Sequence, residues 1–163
     1  METGEHLTPQ RLRTLPSWLI NQVAITANRL TDRALASAGA RRYHFAMLAA
    51  LDEFGPLSQA DLGRCTSIDR KDVAGTIDAL ADQGYVDRSP DPTDGRRNVI
   101  TLTGAGRAHL ERLSTLVAEA QDELLLSCKP GARSALIEQL TQIIDARDAA
   151  DKGMEPSDIT FTG

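Results

Sequence analysis

The stretch from Ser58 to Thr103 constrains the fold of this chain more than any other. Two short helical segments are followed by two strand-like segments, and the four lie at about 59–64, 69–83, 85–88 and 98–102. Ser58 and Asp69 are each suited to cap the helix that follows. Two helices and then a charged hairpin are the plan of a winged helix-turn-helix, a module that lays one helix in the DNA major groove.

The second helical segment carries both an apolar face and a pair of cations. Val73, Ile77 and Leu80 recur at helical spacing, which predicts that they face the core. Arg70 and Lys71 fall in the first turn, the part of a recognition helix that usually meets base edges. Judged on this helix alone, two exposed cations at the start of a solvated helix are an equally good interpretation.

The loop between the strand-like segments is charged in a particular order. Pro90, Pro92 and Gly95 are turn formers, and Asp94 precedes Arg96 and Arg97. An acid in that place can hold an arginine extended through a bidentate pair. An extended arginine at a hairpin tip can enter the minor groove, where the potential is most negative. A charged hairpin is otherwise usually just solvated, so it is the combination with the helices that indicates DNA binding.

The overall charge does not by itself indicate a nucleic-acid partner. The net charge is −5, but residues 108–163 hold five basic and ten acidic residues, whereas residues 1–107 hold thirteen of each. What matters for DNA is whether the cations share one face. No apolar run approaches the roughly 18 residues that span a bilayer, and the N-terminus has no signal-peptide pattern. We therefore expect a cytoplasmic protein with no membrane partner.

The sequence lacks motifs of catalysis and of metal binding. Cys65 and Cys128 form no Cys-x-x-Cys spacing and the three histidines are scattered, so neither a disulfide framework nor a zinc site is predicted. The Gly-x-Gly at 104–106 lacks the third glycine of a dinucleotide site, and we interpret it as part of the start of a helix. We predict no enzyme activity and no cofactor.

With these residues the sequence resembles the MarR family of bacterial transcription regulators, over about residues 15–148. The resemblance is strongest at 57–62 and at 68–103. It implies a fold that is mainly α with a small β-hairpin, built as a winged helix-turn-helix with N- and C-terminal dimerisation helices. The residues predicted to bind DNA are Ser58, Gln59, Ser67, Asp69, Arg70, Lys71, Asp94, Arg96 and Arg97.

The wing departs from the family pattern at one position. The family's wing typically reads Asp-Pro-x-Asp-Arg-Arg, then a strand, then Leu-Thr, and here Gly95 stands in place of the first arginine. Arg96 matches the second, so the Asp94–Arg96 part of the motif carries over. A contact from position 95 does not carry over, and whether Arg97 replaces it stays open.

The resemblance also implies a homodimer on a palindromic operator, with half-sites about one helical turn (~10 base pairs) apart. Long helices on both sides of the DNA-binding lobe (41–103, here called the reader) support a dimer, because their apolar seams exceed what a small winged-helix domain can cover. The alternative is that these helices pack on each other within one chain. The predicted divisions are an N-terminal arm and dimerisation helix (1–40), a DNA-binding lobe (41–103), C-terminal dimerisation helices (104–150) and a flexible tail (151–163).

Members of the family are usually released from DNA by a small molecule, often an aromatic carboxylate, and repression is their commoner mode. Arg13, Trp18 and His44 are the candidate effector-binding residues, since an arginine beside an aromatic ring suits an aromatic anion. The alternative is that Trp18 lies in the dimer core and Arg13 is solvated. Two further readings stay open: a winged helix used only for protein contacts, and a thiol redox sensor.

For a redox sensor the relevant residues would be Cys65, which we expect to be buried, and Cys128, which we expect to be exposed. We predict that neither thiol controls DNA binding, because the family's peroxide sensors carry their reactive cysteine near the N-terminus.

Overall fold

The computed structural model describes residues 8–151, and within them the chain is mainly helical with one small sheet. The helices are α1 (Gln10–Arg13), α2 (Pro16–Ala36), α3 (Arg42–Phe54), α4 (Gln59–Thr66), α5 (Arg70–Asp82), α6 (Gly104–Leu124) and α7 (Ala132–Asp151). The strands are β1 (Leu57–Ser58), β2 (Val86–Pro90) and β3 (Asn98–Leu102). The predicted fold class is confirmed. Of the predicted tail, Asp151 ends α7, and residues 152–163 lie outside the described part of the chain.

The three strands form an antiparallel sheet in the order β1-β3-β2. Leu57 pairs with Ile100, and Val86 pairs with Leu102. Pro90 was expected in the loop but is the last residue of β2, opposite Asn98. The sheet tolerates proline there because β2 is an edge strand, whose outward N–H groups need no partner in the sheet.

The core joins the helices of the reader to the sheet. Val73, Ile77 and Leu80 of α5 are 0–2% exposed, which confirms the predicted inward face of that helix. The other large side chains that are essentially fully buried are Leu35, Met47, Leu48, Leu62, Val86, Ile100 and Leu113. Because α5 is fixed by three side chains to this core, its opposite face is presented to solvent in one orientation.

The start and end of α5 are fixed by backbone hydrogen bonds. Asp69 caps the helix, with its carboxylate accepting the N–H of Lys71 at 2.8 Å. At the other end Gly84 has a φ of +75°, which favours glycine. There the N–H of Tyr85 donates to the Leu80 carbonyl at 2.9 Å, which closes a Schellman motif and turns the chain into β2.

The sheet is joined to the start of α6 by hydrogen bonds of the Thr103 hydroxyl and by a close approach at Gly106. The Thr103 hydroxyl donates to the Gly84 carbonyl at 2.7 Å and accepts the N–H of Gly106 at 3.0 Å. A Cβ on Gly106 would collide with the Tyr85 carbonyl and come within 2.7 Å of Leu102 Cδ1. The Gly-x-Gly therefore serves the start of a helix, as predicted, by allowing α6 to pass close to the backbone of Tyr85.

The helices that flank the reader belong to two compact units, which divide between Leu124 and Leu125. Within the first unit α6 packs along α2, and one guanidinium nitrogen of Arg33 donates to both carboxylate oxygens of Glu123 at 2.8 Å. The second unit contains α7. No helix among residues 8–151 combines the length and the apolar character that crossing a bilayer requires.

Candidate nucleic-acid interface

Two of the elements predicted to bind DNA contribute cations to one cleft. Arg70 lies in the first turn of α5, and Arg96 and Arg97 lie in the loop between β2 and β3. All three line a cleft of about 700 Å³. The rest of its wall is formed by Ser58, Gln59, Ala60, Gly63, Arg64, Ile68 and Asn98. The structure thus places the recognition helix and the wing on the same face.

The other residues predicted to bind DNA do not line this cleft. Ser67 ends α4 in the left-handed conformation, with a φ of +55°, and so turns the chain sharply towards α5. Asp69 is engaged as the cap of α5. Lys71 is exposed but faces a different cleft. Ser67 and Asp69 therefore set the angle and the start of the recognition helix.

The wing loop is held by its backbone. The Asp94 carboxylate accepts the N–H of Arg96 at 3.1 Å, and the Asp94 carbonyl accepts the N–H of Arg97 at 3.0 Å. Asp91 likewise accepts the N–H and the hydroxyl of Thr93, both at 2.8 Å. These are turns in which a short acidic side chain bonds two residues ahead.

The predicted bidentate pair between Asp94 and the Arg96 side chain is therefore wrong for this structure. The Asp94 carboxylate instead accepts the backbone N–H of Arg96, because the turn brings that donor to 3.1 Å from it. In the described part of the chain, neither Arg96 nor Arg97 takes part in an ion pair, and both are exposed. Their guanidinium groups are thus available to an external anion.

An acidic side chain sits among the cations of the cleft. Asp61 accepts the hydroxyl of Ser58 at 2.6 Å and also forms an ion pair with Arg64. The Ser58 hydrogen bond lowers the pKa of Asp61, and the charges of Arg64 and Arg97 lower it further. Since Ser58 also accepts the N–H of Asp61 at 3.1 Å, its hydroxyl is engaged in capping α4.

Two polar residues of the cleft wall, Arg64 and Asn98, were not predicted as site residues from the sequence. Arg64 follows Asp61 by three residues on α4, a spacing typical of ordinary surface ion pairs, so it carried no distinguishing signal. Asn98 begins β3, where its pattern indicates only a strand. Both become candidates because the fold brings them beside Arg70 and Arg96.

Comparison with known proteins decides the family. The MarR family model matches residues 39–97. The transcriptional repressor NicR of Pseudomonas putida is 32% identical over 106 residues, which cover 65% of this chain and 67% of NicR. This chain belongs to the MarR family. It is accordingly a DNA-binding transcription regulator of the winged-helix type and not an enzyme.

Solved structures of DNA-binding regulators agree with this assignment. A probable transcriptional regulator from Pseudomonas aeruginosa is 30% identical, with a TM-score of 0.73, covering 82% of this chain and 99% of that one. The Bordetella bronchiseptica regulator BpsR shares the fold at 24% identity, with a TM-score of 0.76 over 85% of this chain and 99% of BpsR. The BpsR structure concerns the mechanism by which 6-hydroxynicotinic acid regulates the DNA binding of BpsR.

A second cleft, of about 1070 Å³, is lined by the end of α2, the start of α3 and one side of α5. Its wall is formed by Asp32, Ala36, Gly39, Ala40, Arg41, Arg42, Tyr43, His44, Lys71, Asp72, Gly75, Thr76 and Ala79. Arg42 is neutralised there, since its guanidinium donates to Asp32 at 2.7 Å. Arg41 and Lys71 form no ion pair with any residue in 8–151, and in this MarR protein they share the wall of the cleft with the carboxylate of Asp72.

His44 contributes a buried polar atom beside this cleft. Its Nδ1 has no hydrogen-bond partner among the described residues. The pKa of His44 is lowered chiefly by burial, and the charges of Arg41 and His109 lower it further. The ring is consequently neutral at neutral pH, and Nδ1 can accept or donate one hydrogen bond according to the tautomer.

The three predicted effector-binding residues are not brought together within one chain. His44 lines the second cleft, whereas Arg13 and Trp18 do not. The reason is the length of α2: Trp18 and Asp32 are fourteen residues apart on one helix, which corresponds to about 21 Å at 1.5 Å per residue.

The two thiols of this MarR protein are both exposed. For Cys128 this agrees with the prediction. For Cys65 the predicted burial is wrong, because α4 buries only Leu62 and Cys65 lies in the exposed last turn of that helix. No group of three or more His, Cys, Asp or Glu side chains within the described residues could hold a metal ion.

Proposed function

We propose that this protein represses transcription by binding a palindromic operator as a homodimer, and that a small aromatic acid releases it. The observation that carries the proposal is the single cleft lined by Arg70, Arg96 and Arg97. A recognition helix and a wing must face the same side of the protein to follow one DNA duplex. The repression mode is transferred from relatives such as NicR, which is named a repressor.

The cations of this face would have different tasks on DNA. Arg70, in the first turn of α5, is positioned to reach base edges in the major groove, where arginine binds guanine through two hydrogen bonds. Arg96 and Arg97, at the tip of the wing, would enter the adjacent minor groove or bind its phosphates. Gln59, at the start of α4, is placed for a phosphate contact. The Ser58 hydroxyl would bind DNA only by giving up its hydrogen bond to Asp61.

The homodimer is supported by apolar side chains that the chain leaves uncovered. At the start of α2, Leu15, Leu19, Ile20 and Val23 are 42–50% exposed. On α7 the exposed apolar side chains are Leu136, Ile137, Ile143 and Ile144. Groups of large apolar side chains that stay exposed mark interaction surfaces in small proteins. We infer that a second copy of the chain covers them.

The second cleft is our candidate effector site. Arg41 and Lys71 supply positive charge, Tyr43 supplies an aromatic face, and His44 supplies an unsatisfied buried nitrogen. This combination suits a planar molecule that carries a carboxylate. The relation of BpsR to 6-hydroxynicotinic acid makes a hydroxylated aromatic acid a suitable first probe.

Arg13 and Trp18, near the start of α2, are the alternative candidates for binding the effector. Because Trp18 is the only tryptophan in the chain, its fluorescence distinguishes the two locations. A strong quench of Trp18 by salicylate or 6-hydroxynicotinate would place the acid at the start of α2. Binding that leaves Trp18 unchanged but is abolished by His44→Ala would place it in the second cleft.

The proposed function is tested by selecting duplexes from a random pool with the full-length protein. We expect enrichment of an inverted repeat and binding that weakens steeply with salt. Arg96→Ala should weaken binding of the selected duplex about tenfold, equal to about 1.4 kcal/mol. If no sequence is enriched, or if Arg96→Ala binds as tightly as the original protein, the assignment of this cleft to DNA is wrong.

A further inference from the structure

We propose that Arg64 of α4 is an additional phosphate contact that works together with the recognition helix and the wing. The inference rests on the proposed use of the 700 Å³ cleft for DNA. It assigns a role to a side chain on the helix that precedes the recognition helix, at a position the sequence pattern does not single out.

The first observation is the location of Arg64. It lines the same cleft as Arg70, Arg96 and Arg97, and its side chain is 73% exposed. Four arginines from α4, α5 and the wing loop thus converge on one concave surface. Such convergence is the electrostatic footprint of a surface that follows a polyanion.

The second observation is the way in which Arg64 is held. Asp61, one turn earlier on α4, forms an ion pair with the Arg64 guanidinium and accepts the Ser58 hydroxyl through its other oxygen. Ser58 in turn caps α4, so the carboxylate is anchored to the start of the helix. A guanidinium has five N–H donors, and binding to Asp61 leaves others free for a phosphate.

The third observation concerns the wing. The family pattern has two consecutive arginines, and this chain has Gly95 at the first of these positions. Arg64 supplies a cation to the same cleft from a different element. The Asp61 carboxylate is negatively charged, and it would repel a DNA phosphate unless hydrogen-bond donors occupied its oxygens. Its two hydrogen-bonded oxygens are consistent with a positioning role for Asp61.

The competing explanation is that Arg64 only stabilises α4 through a surface ion pair with Asp61. Salt dependence separates the two, because each neutralised phosphate adds about 0.9 to the slope of log affinity against log salt. A helix-stabilising pair adds nothing to that slope. Arg107→Gln is a matched control, since Arg107 is also exposed and paired with an aspartate, Asp52, but does not line the cleft.

The test measures binding of a labelled random-sequence duplex of about 30 base pairs, roughly three helical turns, over a range of salt concentrations. We expect Arg64→Gln to weaken binding several-fold and to reduce the slope by about 0.9 for each protomer on the DNA. Arg107→Gln should leave both quantities unchanged. Asp61→Asn breaks the ion pair but keeps the Arg64 charge, so it should not reduce the slope.

The outcomes separate this inference from the proposed function. If Arg96→Ala reduces the slope and Arg64→Gln does not, the cleft binds DNA and the role of Arg64 is wrong. If Arg64→Gln and Asp61→Asn weaken binding equally and neither changes the slope, the ion pair and not a phosphate contact explains the loss, and the inference fails. If the original protein shows no salt-dependent binding at all, the proposed function fails as well. Thermal unfolding of each variant checks that α4 is intact.

Discussion

Lys71, in the first turn of α5, and His44, in the first turn of α3, line the same cleft. The first belongs to the helix that would read DNA, and the second belongs to the candidate effector site. A ligand bound there would therefore contact the recognition helix itself. An anion that pairs with the Lys71 ammonium there would pull on the first turn of α5, the turn that also carries Arg70 of the DNA cleft.

The first prediction concerns this coupling. The probe is salicylate or 6-hydroxynicotinate. Coupling between two binding sites typically changes the affinity at each site by about 5- to 150-fold, and the factor is the same whichever ligand binds first. We expect Lys71→Gln to reduce the factor by which the acid weakens DNA binding towards one. The measurement is DNA affinity with and without the acid, with Lys129→Gln in the second unit as the control. An undiminished factor in Lys71→Gln would show that another residue couples the sites.

The second prediction restores the family's wing. Gly95 has no positive φ, and a Cβ there would meet no atom within 4 Å, so a side chain fits without strain. Gly95→Arg should bind DNA more tightly and steepen the salt slope by about 0.9 per protomer, because it adds one cation at the wing tip. The control is Gly95→Ala, which keeps the loop and adds no charge. Gly75→Arg would not serve as a control, because position 75 lies in α5 and the change would alter that helix. Equal slopes for the Arg and Ala variants would contradict a DNA contact at this position.

The third prediction concerns acid stability. Burial is the main cause that lowers the pKa of both His44 and His109 from their ordinary value of 6.5. His109 also stacks on Tyr85, with ring centroids 4.1 Å apart. A lowered folded-state pKa means that the unfolded chain binds more protons as the pH falls below 6.5. Stability is therefore retained above that pH and lost below it.

The measurement is urea unfolding at about pH 7.5 and about pH 5.5, where each titrating group contributes at most about 1.4 kcal/mol per pH unit. The variant His109→Phe keeps an aromatic ring against Tyr85 and removes the titration, and His44→Gln removes it at the second cleft. We expect both variants to lose less stability between the two pH values than the original protein. Parallel losses would mean that other groups cause the acid sensitivity.

The fourth prediction tests the dimer. Val23 is 50% exposed on α2, one turn from the similarly exposed Leu19. Val23→Glu would place a charge in the proposed interface, where an unpaired charge is costly to bury. We expect a shift from dimer to monomer by light scattering and a loss of operator binding. Asn28→Glu, on the same helix at an exposed polar position, should remain dimeric.

Some features of this structure can be predicted from local sequence, whereas others arise only when distant parts of the chain pack together. The caps at Ser58 and Asp69, the inward face of α5 and the left-handed Gly84 were predictable, because each depends on residues within about two helical turns of one another. The wing geometry was not. In the Asp94 turn, hydrogen bonding to the backbone N–H of Arg96 replaces the side-chain pair that residue types suggest.

The candidate sites show the same limit over longer distances. Arg64 lies near the wing only because the sheet places β3 beside β1 and α4. His44 and Lys71 line one cleft although they are 27 positions apart in the sequence, and no periodicity indicates that they lie near each other. Arg13 and Trp18 suit an aromatic acid by type, but the length of α2 separates them from the cleft that His44 lines.

The last prediction concerns the junction between the reader and α6. Gly106 lets α6 start against the Tyr85 carbonyl, and a Cβ there would collide with that carbonyl and crowd Leu102. Gly106→Ala should therefore destabilise the fold by about 1–3 kcal/mol, the usual cost of overpacking. Gly104→Ala is the matched control in the same first turn, since a Cβ at Gly104 meets nothing within 4 Å. Alanine also favours a helix over glycine by up to about 1 kcal/mol, so Gly104→Ala should be neutral or stabilising. Thermal unfolding followed by circular dichroism compares the two. Equal melting temperatures for the two variants would show that the close approach of α6 to Tyr85 is not required for the fold.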